Sequence, residues 1–540
     1  MNKCTVCVPC DRNNENTQPV GVSISLRMYK YVSSLSSFKV KCNKKHLFLC
    51  KTVHTVNDNV TKNCKHFNEI PGPKSYPVIG ALYNYLPLIG VYKAEALHKN
   101  AWFNWKRYGP LVRESLLPSM SLLHVFDPED IEAVFRQEGR IPARRSHLAM
   151  KHYRLRKSDV YNTGGLLATN GPEWWRLRST FQKNFSSPKS VQFYVTHTDL
   201  VVKQFMSWIK CKQPIESDFL CFLNRLNLEV IGEIAFGEKF NSFSEDELKP
   251  GSKTSKVIKS AFDSNSGIFK LDKGFWWKIF NTPLYKRLAK AQTVLEEVSK
   301  GILLKKARYF EEKQPQAEAQ SLVDSFLQQP NLDLKDVTGM MVDILMAAVD
   351  TTSYTSSFAL YYLSLYPKCQ EELYKEACSL LPELDTNITP EIISKANYVR
   401  NCIKETLRLN PVSIGIGRVL QKDIVLRGYR IPENTVIITQ NMLASRLPQY
   451  VKDPLKFNPK RWQRDSDAYE NLNPFLSLPF GFGPRSCIAR RLAEQNVAIT
   501  LLRLVREYEF KWNGGELGIQ THLINKPDKP ILLSLVPRSK

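Results

Sequence analysis

The stretch Val342–Leu363 constrains this chain more than any other. It is the longest apolar run in the chain, and a run of that length must be buried in something. It also carries Asp343 and Asp350. Each carboxylate would cost about 2.5–3.5 kcal/mol at a bilayer centre. The run therefore predicts a buried helix of a soluble core, extending over 334–365. Other helices are predicted over 88–108, 173–185, 189–209, 218–236, 282–310, 367–381, 389–409 and 489–508. Short strands fit 111–126, 419–426, 436–440 and 531–535, where β-branched and aromatic residues sit between turn signals. Charged stretches over 241–256 and 311–319 read as exposed connections. The expectation is a mainly α fold with small β-sheets and no linker dividing it.

Charge is distributed unevenly. The chain has 540 residues, with 76 Lys+Arg against 52 Asp+Glu, a formal net charge of +24. Residues 1–70 contribute +7 of this, and no acidic residue lies between Asn16 and Asn57. That stretch is basic, serine-rich and acid-poor, the composition of an organelle import presequence. A disordered tail without an address would look similar. No apolar run near the start suits a membrane anchor or secretory signal. Residues 1–69 are read as presequence and flexible segment. Residues 70–540 are read as one folded domain, opened by the rigid cluster Ile70-Pro71-Gly72-Pro73. Half of the 12 cysteines lie in the first 64 residues. Cys4, Cys7 and Cys10 have metal-like spacing without a clear fourth ligand and are read as incidental. The rest show no paired spacing, which fits a reducing compartment. The basic residues do not interleave with aromatics along one stripe, so a nucleic-acid binder ranks last.

The strongest local signal is Phe480-Gly481-Phe482-Gly483-Pro484-Arg485-Ser486-Cys487. A Gly- and Pro-rich loop delivers a cysteine to the start of an amphipathic helix. The helix N-terminus and nearby arginines favour a thiolate, which suits an iron ligand or a nucleophile. Upstream, Glu405 and Arg408 lie three apart on one predicted helix face, and Phe457-Asn458-Pro459-Lys460-Arg461-Trp462 follows. Together, in this order, these motifs resemble the cytochrome P-450 family of haem-thiolate monooxygenases. The likeness runs from about Pro71 to the C-terminus. Ala489 stands where that family has a glycine.

The resemblance implies a single haem-binding domain with haem b on Cys487. It implies propionate contacts from Trp174, Arg178, Arg418 and Arg485, and a structural network of Glu405, Arg408 and Arg461. It assigns Asp350 and Thr351 to proton delivery, with Thr351 hydrogen-bonding dioxygen, although Ala348 replaces another usual glycine. A Thr bonding back to its own helix is the plainer alternative. It places Leu345, Ala348, Val412, Ile414, Ile416 and Leu523 around the substrate.

The presequence, Arg490-Arg491 after the Cys loop, and Arg400 with Lys404 resemble the mitochondrial branch. That branch implies a small acidic 2Fe–2S ferredoxin with its flavin reductase, docked on Arg400 and Lys404. It also implies peripheral contact with the matrix side of the inner mitochondrial membrane. Phrases such as Tyr83–Pro87, Arg144–Ala149 and Leu523–Asp528 are similar to the arthropod ecdysteroid 22-hydroxylases. They imply hydroxylation of a sterol at carbon 22, 2,22-dideoxyecdysone to 2-deoxyecdysone. A 2- or 20-hydroxylase of the same branch would carry the same motifs. A haem-thiolate isomerase is disfavoured by Asp350-Thr351 and the basic face.

Overall fold

A computed structural model describes residues 64–538 except 87, 118–119, 275 and 313–318. The presequence reading and the Cys4, Cys7, Cys10 spacing lie outside them. Among the described residues ten short strands accompany the helices: β1 (Leu111–Leu117), β2 (Met120–Val125), β3 (Gly417–Val419), β4 (Ile424–Leu426), β5 (Tyr429–Ile431), β6 (Val436–Thr439), β7 (Tyr508–Trp512), β8 (Ile519–His522), β9 (Ile524–Pro527) and β10 (Leu533–Pro537). The largest sheet has the order β1-β2-β6-β3, with β2 and β6 parallel. The pairs β4-β5, β7-β10 and β8-β9 are antiparallel.

The central helix Leu334–Leu365 starts where Asp333 accepts the Asp336 N–H, satisfying one of the orphan donors of a helix start. It packs against helices Phe219–Ile231, Lys253–Leu271, Pro283–Glu312 and Arg490–Glu507. Its three aspartates, Asp336, Asp343 and Asp350, are buried, and each has a partner. The Asp343 carboxylate accepts from Arg154 Nη1 at 2.8 Å, both side chains being almost wholly buried. Asp350 is held by Asn265 of helix Lys253–Leu271. The hydroxyls of Thr351, Ser353, Thr355 and Ser357 each donate to the carbonyl four residues earlier. These four hydroxyls of the polar band are thus satisfied within the helix itself.

The long helices fall where the apolar periodicity places them, with differences at breaks. The expected helix over 88–108 begins only at Leu97, because Leu88 has a left-handed backbone, φ 74°, and the segment before Leu97 is irregular. The expected helix over 389–409 is two, Pro390–Lys395 and Asn397–Leu409, broken at Ala396. Glu376 accepts the Tyr398 and Val399 N–H groups at the new start. The expected strand over 419–426 divides into the end of β3 and β4. The stretch 241–256, read as an exposed connection, contains the start of helix Lys253–Leu271, capped by Ser252. That 19-residue helix was not anticipated. Its buried face includes Ser260, Asp263, Ser264 and Asn265, which a search for apolar periodicity passes over.

Candidate active site

The Cys487 loop is shaped by glycine where the chain needs a left-handed backbone: Gly481 has φ 78° and Gly483 φ 66°. This bend lets Cys487 N–H donate to Phe480 O at 2.7 Å. Cys487 precedes Ala489, the N-cap of helix Arg490–Glu507. Its side chain faces open space yet lies deep in the molecule, where burial pushes the thiol up. The Ala489 N–H and the Arg178 guanidinium act in the opposite direction and do not outweigh that burial. The helix N-terminus and Arg178 thus act toward the thiolate as expected, while in the protein without a metal desolvation is the larger influence. Next to Cys487 itself the donor is Arg178, whose Nη1 donates to Ser486 O at 2.8 Å. Arg485 instead turns back to Pro142 O, Thr169 O and Asn170 Oδ1.

Around this loop the fold gathers cations from four segments. Trp174 and Arg178 share one face of helix Gly171–Ser186, and both are buried. The Arg485 guanidinium lies 3.9 Å from the Trp174 ring centroid. Arg418, buried on β3, donates to Phe482 O at 3.1 Å. Its Nε lies 2.5 Å from Glu138 Oε1. Arg144 supplies a fourth guanidinium, fastened to Leu167 O at 3.0 Å through Nε. Burial and the charges of Arg144, Arg418 and Arg178 push Arg485 down to about 8. Burial also pushes Arg144 and Arg178 down to about 10 each. Guanidinium groups do not deprotonate in proteins, so these shifts record like charges crowded in poor solvent. Glu138 is the carboxylate that faces Arg418 and Arg485 among them, and the buried Arg485 Nη1 has no hydrogen-bond partner. A bound dianion relieves this repulsion. An unpaired guanidinium nitrogen, four clustered cations and an exposed sulfur beside them fit an anionic, thiolate-ligated haem. Arg144 and Glu138 were not predicted as site residues. The pair Arg144-Arg145 was a visible signal, whereas nothing local distinguishes Glu138.

The central helix is fully buried on most faces but half-exposed at Ala347, Ala348 and Thr351. Their spacing forms one stripe. Thr351 Oγ1 donates to Ala347 O at 2.7 Å, bonding back to its own helix. Asp350 points elsewhere, to Asn265 and Tyr354, and burial pushes its carboxyl up to about 7. Of the six residues expected around a substrate, Leu345 is fully buried. It lies on the packed face of the helix, so it does not line a pocket. Val412, Ile414, Ile416 and Leu523 are half-buried. The tip of the β8-β9 hairpin is tied to the first of these segments, since Asn525 N–H donates to Val412 O at 2.7 Å.

Glu405, Arg408 and Arg461 come together away from the arginine cluster. Glu405 has no exposed surface. Its carboxylate accepts from Arg408 Nε and Nη2 at 2.9 and 2.8 Å, Arg461 Nε at 3.0 Å, Asn458 N at 3.1 Å and Trp462 Nε1 at 2.9 Å. Arg461 also contacts Glu470. Arg408 donates to Ser445 O and Pro454 O at 2.8 and 2.7 Å. On another stripe of the same helix, Lys404 is exposed. Arg400 is not a free cation: it donates to Ile393 O, Ser394 O and Asn397 Oδ1 across the break at Ala396.

A haem-thiolate oxidoreductase is the class that this loop and cluster define, and the comparisons agree. The family model for cytochrome P450 matches residues 70–535, and the chain belongs to that family of monooxygenases. It is 42% identical over 476 residues to "Cytochrome P450 302a1, mitochondrial" of Drosophila melanogaster, covering 87% of this chain and 95% of that one. It is 28% identical to "Probable cytochrome P450 301a1, mitochondrial" over 87% of both chains. It is 27% identical to "Ecdysone 20-monooxygenase", over 87% of this chain and 88% of that one. All three are from the same fly.

Removing one partner of a buried ionic network leaves the others uncompensated, at a cost of about 3–5 kcal/mol. Glu405→Ala is expected to lower the chemical-denaturation midpoint accordingly and to give little haem-loaded protein. Full haem loading with an unchanged midpoint would remove Glu405 from its structural role.

Proposed function

We propose that this protein is a mitochondrial, ferredoxin-dependent steroid hydroxylase acting at carbon 22 of an ecdysone precursor. The cluster of Arg144, Arg178, Arg418 and Arg485 beside the Cys487 loop carries the cofactor reading. Haem b bound there supplies an iron centre for dioxygen activation. Cys487 would hold the iron as thiolate, a form that a nearby metal ion favours where burial alone does not. Trp174, Arg178, Arg418 and Arg485 bind the propionates. Asp350 and Thr351 hold and pass protons toward the stripe bordered by Ala347 and Ala348.

The substrate reading rests on the phrase-level likeness to ecdysteroid 22-hydroxylases, and a relative named Ecdysone 20-monooxygenase supports the substrate class. Half-buried Ala348, Val412, Ile414, Ile416 and Leu523 offer an apolar wall for a sterol. Relatives named mitochondrial support the compartment. No described helix is long and apolar enough to cross a membrane. Exposed Val78, Ile79, Leu86, Leu88, Ile89 and Val91 support peripheral contact with the inner membrane from the matrix side. The deciding experiment is mass-spectrometric product analysis of enzyme reconstituted with ferredoxin and reductase on 2,22-dideoxyecdysone. A product hydroxylated at carbon 22 is expected. Attack at carbon 2 or 20 would reassign the regiochemistry. Turnover without ferredoxin would indicate an isomerase.

Two further outcomes test the parts. Cys487→His should abolish the thiolate-type absorbance of the reduced carbon monoxide complex, and a surviving thiolate spectrum would require another ligand. Lys404 is the exposed cation of the proposed docking pair, whereas Arg400 also braces the helix break. Lys404→Glu should raise the ferredoxin concentration for half-maximal turnover and flatten its salt dependence. Sterol binding should be unchanged. A wild-type ferredoxin titration at low salt would move docking to Arg490 and Arg491.

A further inference from the structure

The buried acid of the central helix is gripped from a second helix, and nothing in the family motif describes that grip. Asn265, itself buried, lies on helix Lys253–Leu271. Its Nδ2 donates to Met346 O at 3.2 Å and to Asp350 Oδ2 at 3.1 Å. The Met346 carbonyl can only accept, so the amide nitrogen must face this side. The two hydrogens thus straddle one helical turn, from residue 346 to residue 350, and hold the carboxyl against helix Lys253–Leu271. Thr351 Oγ1 meanwhile occupies the next carbonyl, Ala347 O.

The geometry points to Asn265 as a positioning residue for proton delivery, its amide fork fixing where the Asp350 carboxyl sits on the central helix. This rests on the reading of Asp350 as a proton carrier. A carrier must hold a proton about as readily as it gives one up, and a buried carboxylate without a donor would stay protonated. The titratable groups facing Asp350 are Tyr354 from its own helix and Lys526 from β9, while helix Lys253–Leu271 contributes the neutral Asn265. Burial raises the carboxyl to about 7, and the three groups each act to lower it. Deleting the Asn265 donor removes one of these and must move the titration upward.

Difference infrared spectroscopy of the resting holoenzyme, wild type against Asp350→Asn, reads the carboxyl without turnover. The wild-type midpoint is expected near neutrality. Asn265→Ala should raise it by about one pH unit, the order expected for losing one hydrogen bond to a charged group. The same variant should divert electrons from hydroxylated product to peroxide severalfold at neutral pH. Because protonated Asp350 is the donor form, any alkaline decline in coupling should move to higher pH with the midpoint. Asn265→Ser keeps a hydroxyl donor and should restore part of the shift, and it serves as the test if the alanine variant does not fold. An unchanged midpoint in both variants overturns the positioning role. A shifted midpoint combined with wild-type coupling in Asp350→Asn overturns instead the proton-carrier reading beneath it.

Discussion

Burying charge is the constraint on which this structure depends, and Glu405 shows how it is met. Its carboxylate, with no exposed surface, takes five hydrogen bonds. They come from its own helix and from the segment that leads toward the Cys487 loop. An ionised carboxylate in such a place is tolerable only when every lone pair is used. The same rule joins helix Pro188–Cys211 to helix Arg490–Glu507, where Asp199 pairs with Arg503 at 2.7 and 2.8 Å. It joins the central helix to Arg154 through Asp343.

The arginine cluster breaks that rule within the protein alone. Four guanidinium groups converge on a neighbourhood where Glu138 faces two of them, and one buried nitrogen is unpaired. A site that violates local satisfaction is where function is expected. Here the imbalance is positive, large and placed beside a cysteine. A cofactor carrying carboxylates and a thiolate-seeking metal answers both features. Folding and cofactor binding are then linked, because ligand that binds only the folded state stabilises it.

Asp350 and Asp343 differ in a way that separates structure from chemistry. Both sit in the same apolar helix. Asp343 has a full guanidinium partner at 2.8 Å. Asp350 has an amide and a phenol as hydrogen-bond partners and a more distant ammonium, so burial raises it to about 7. A carboxyl held between its two protonation states at neutral pH is of use in proton transfer. A carboxyl locked in an ion pair is not.

Much of the architecture was legible in the residues. Apolar periodicity located the central helix and most of its neighbours, because each must bury one face. Glycines before Cys487 marked a bend that other residues reach only with strain. The motif residues Trp174, Arg178, Arg485 and Cys487 lie in a readable pattern because helix spacing and loop chemistry are local. What escaped was non-local. Helix Lys253–Leu271 places Asp263, Ser264 and Asn265 in the middle of its buried face, which interrupts its apolar stripe. The break at Ala396 is supported by Glu376 and Arg400, which act across chain segments. Arg178 and Arg418, rather than Arg485, donate to the backbone of the Cys487 loop, since side-chain direction depends on what each arginine meets. The sequence alone determined which segments become helices and which residues can carry charge or ligate metal. The tertiary structure decided which charges go unpaired and that the acid at position 350 is gripped by Asn265. Pairing energies in a poor solvent depend on distances between atoms that lie far apart along the chain.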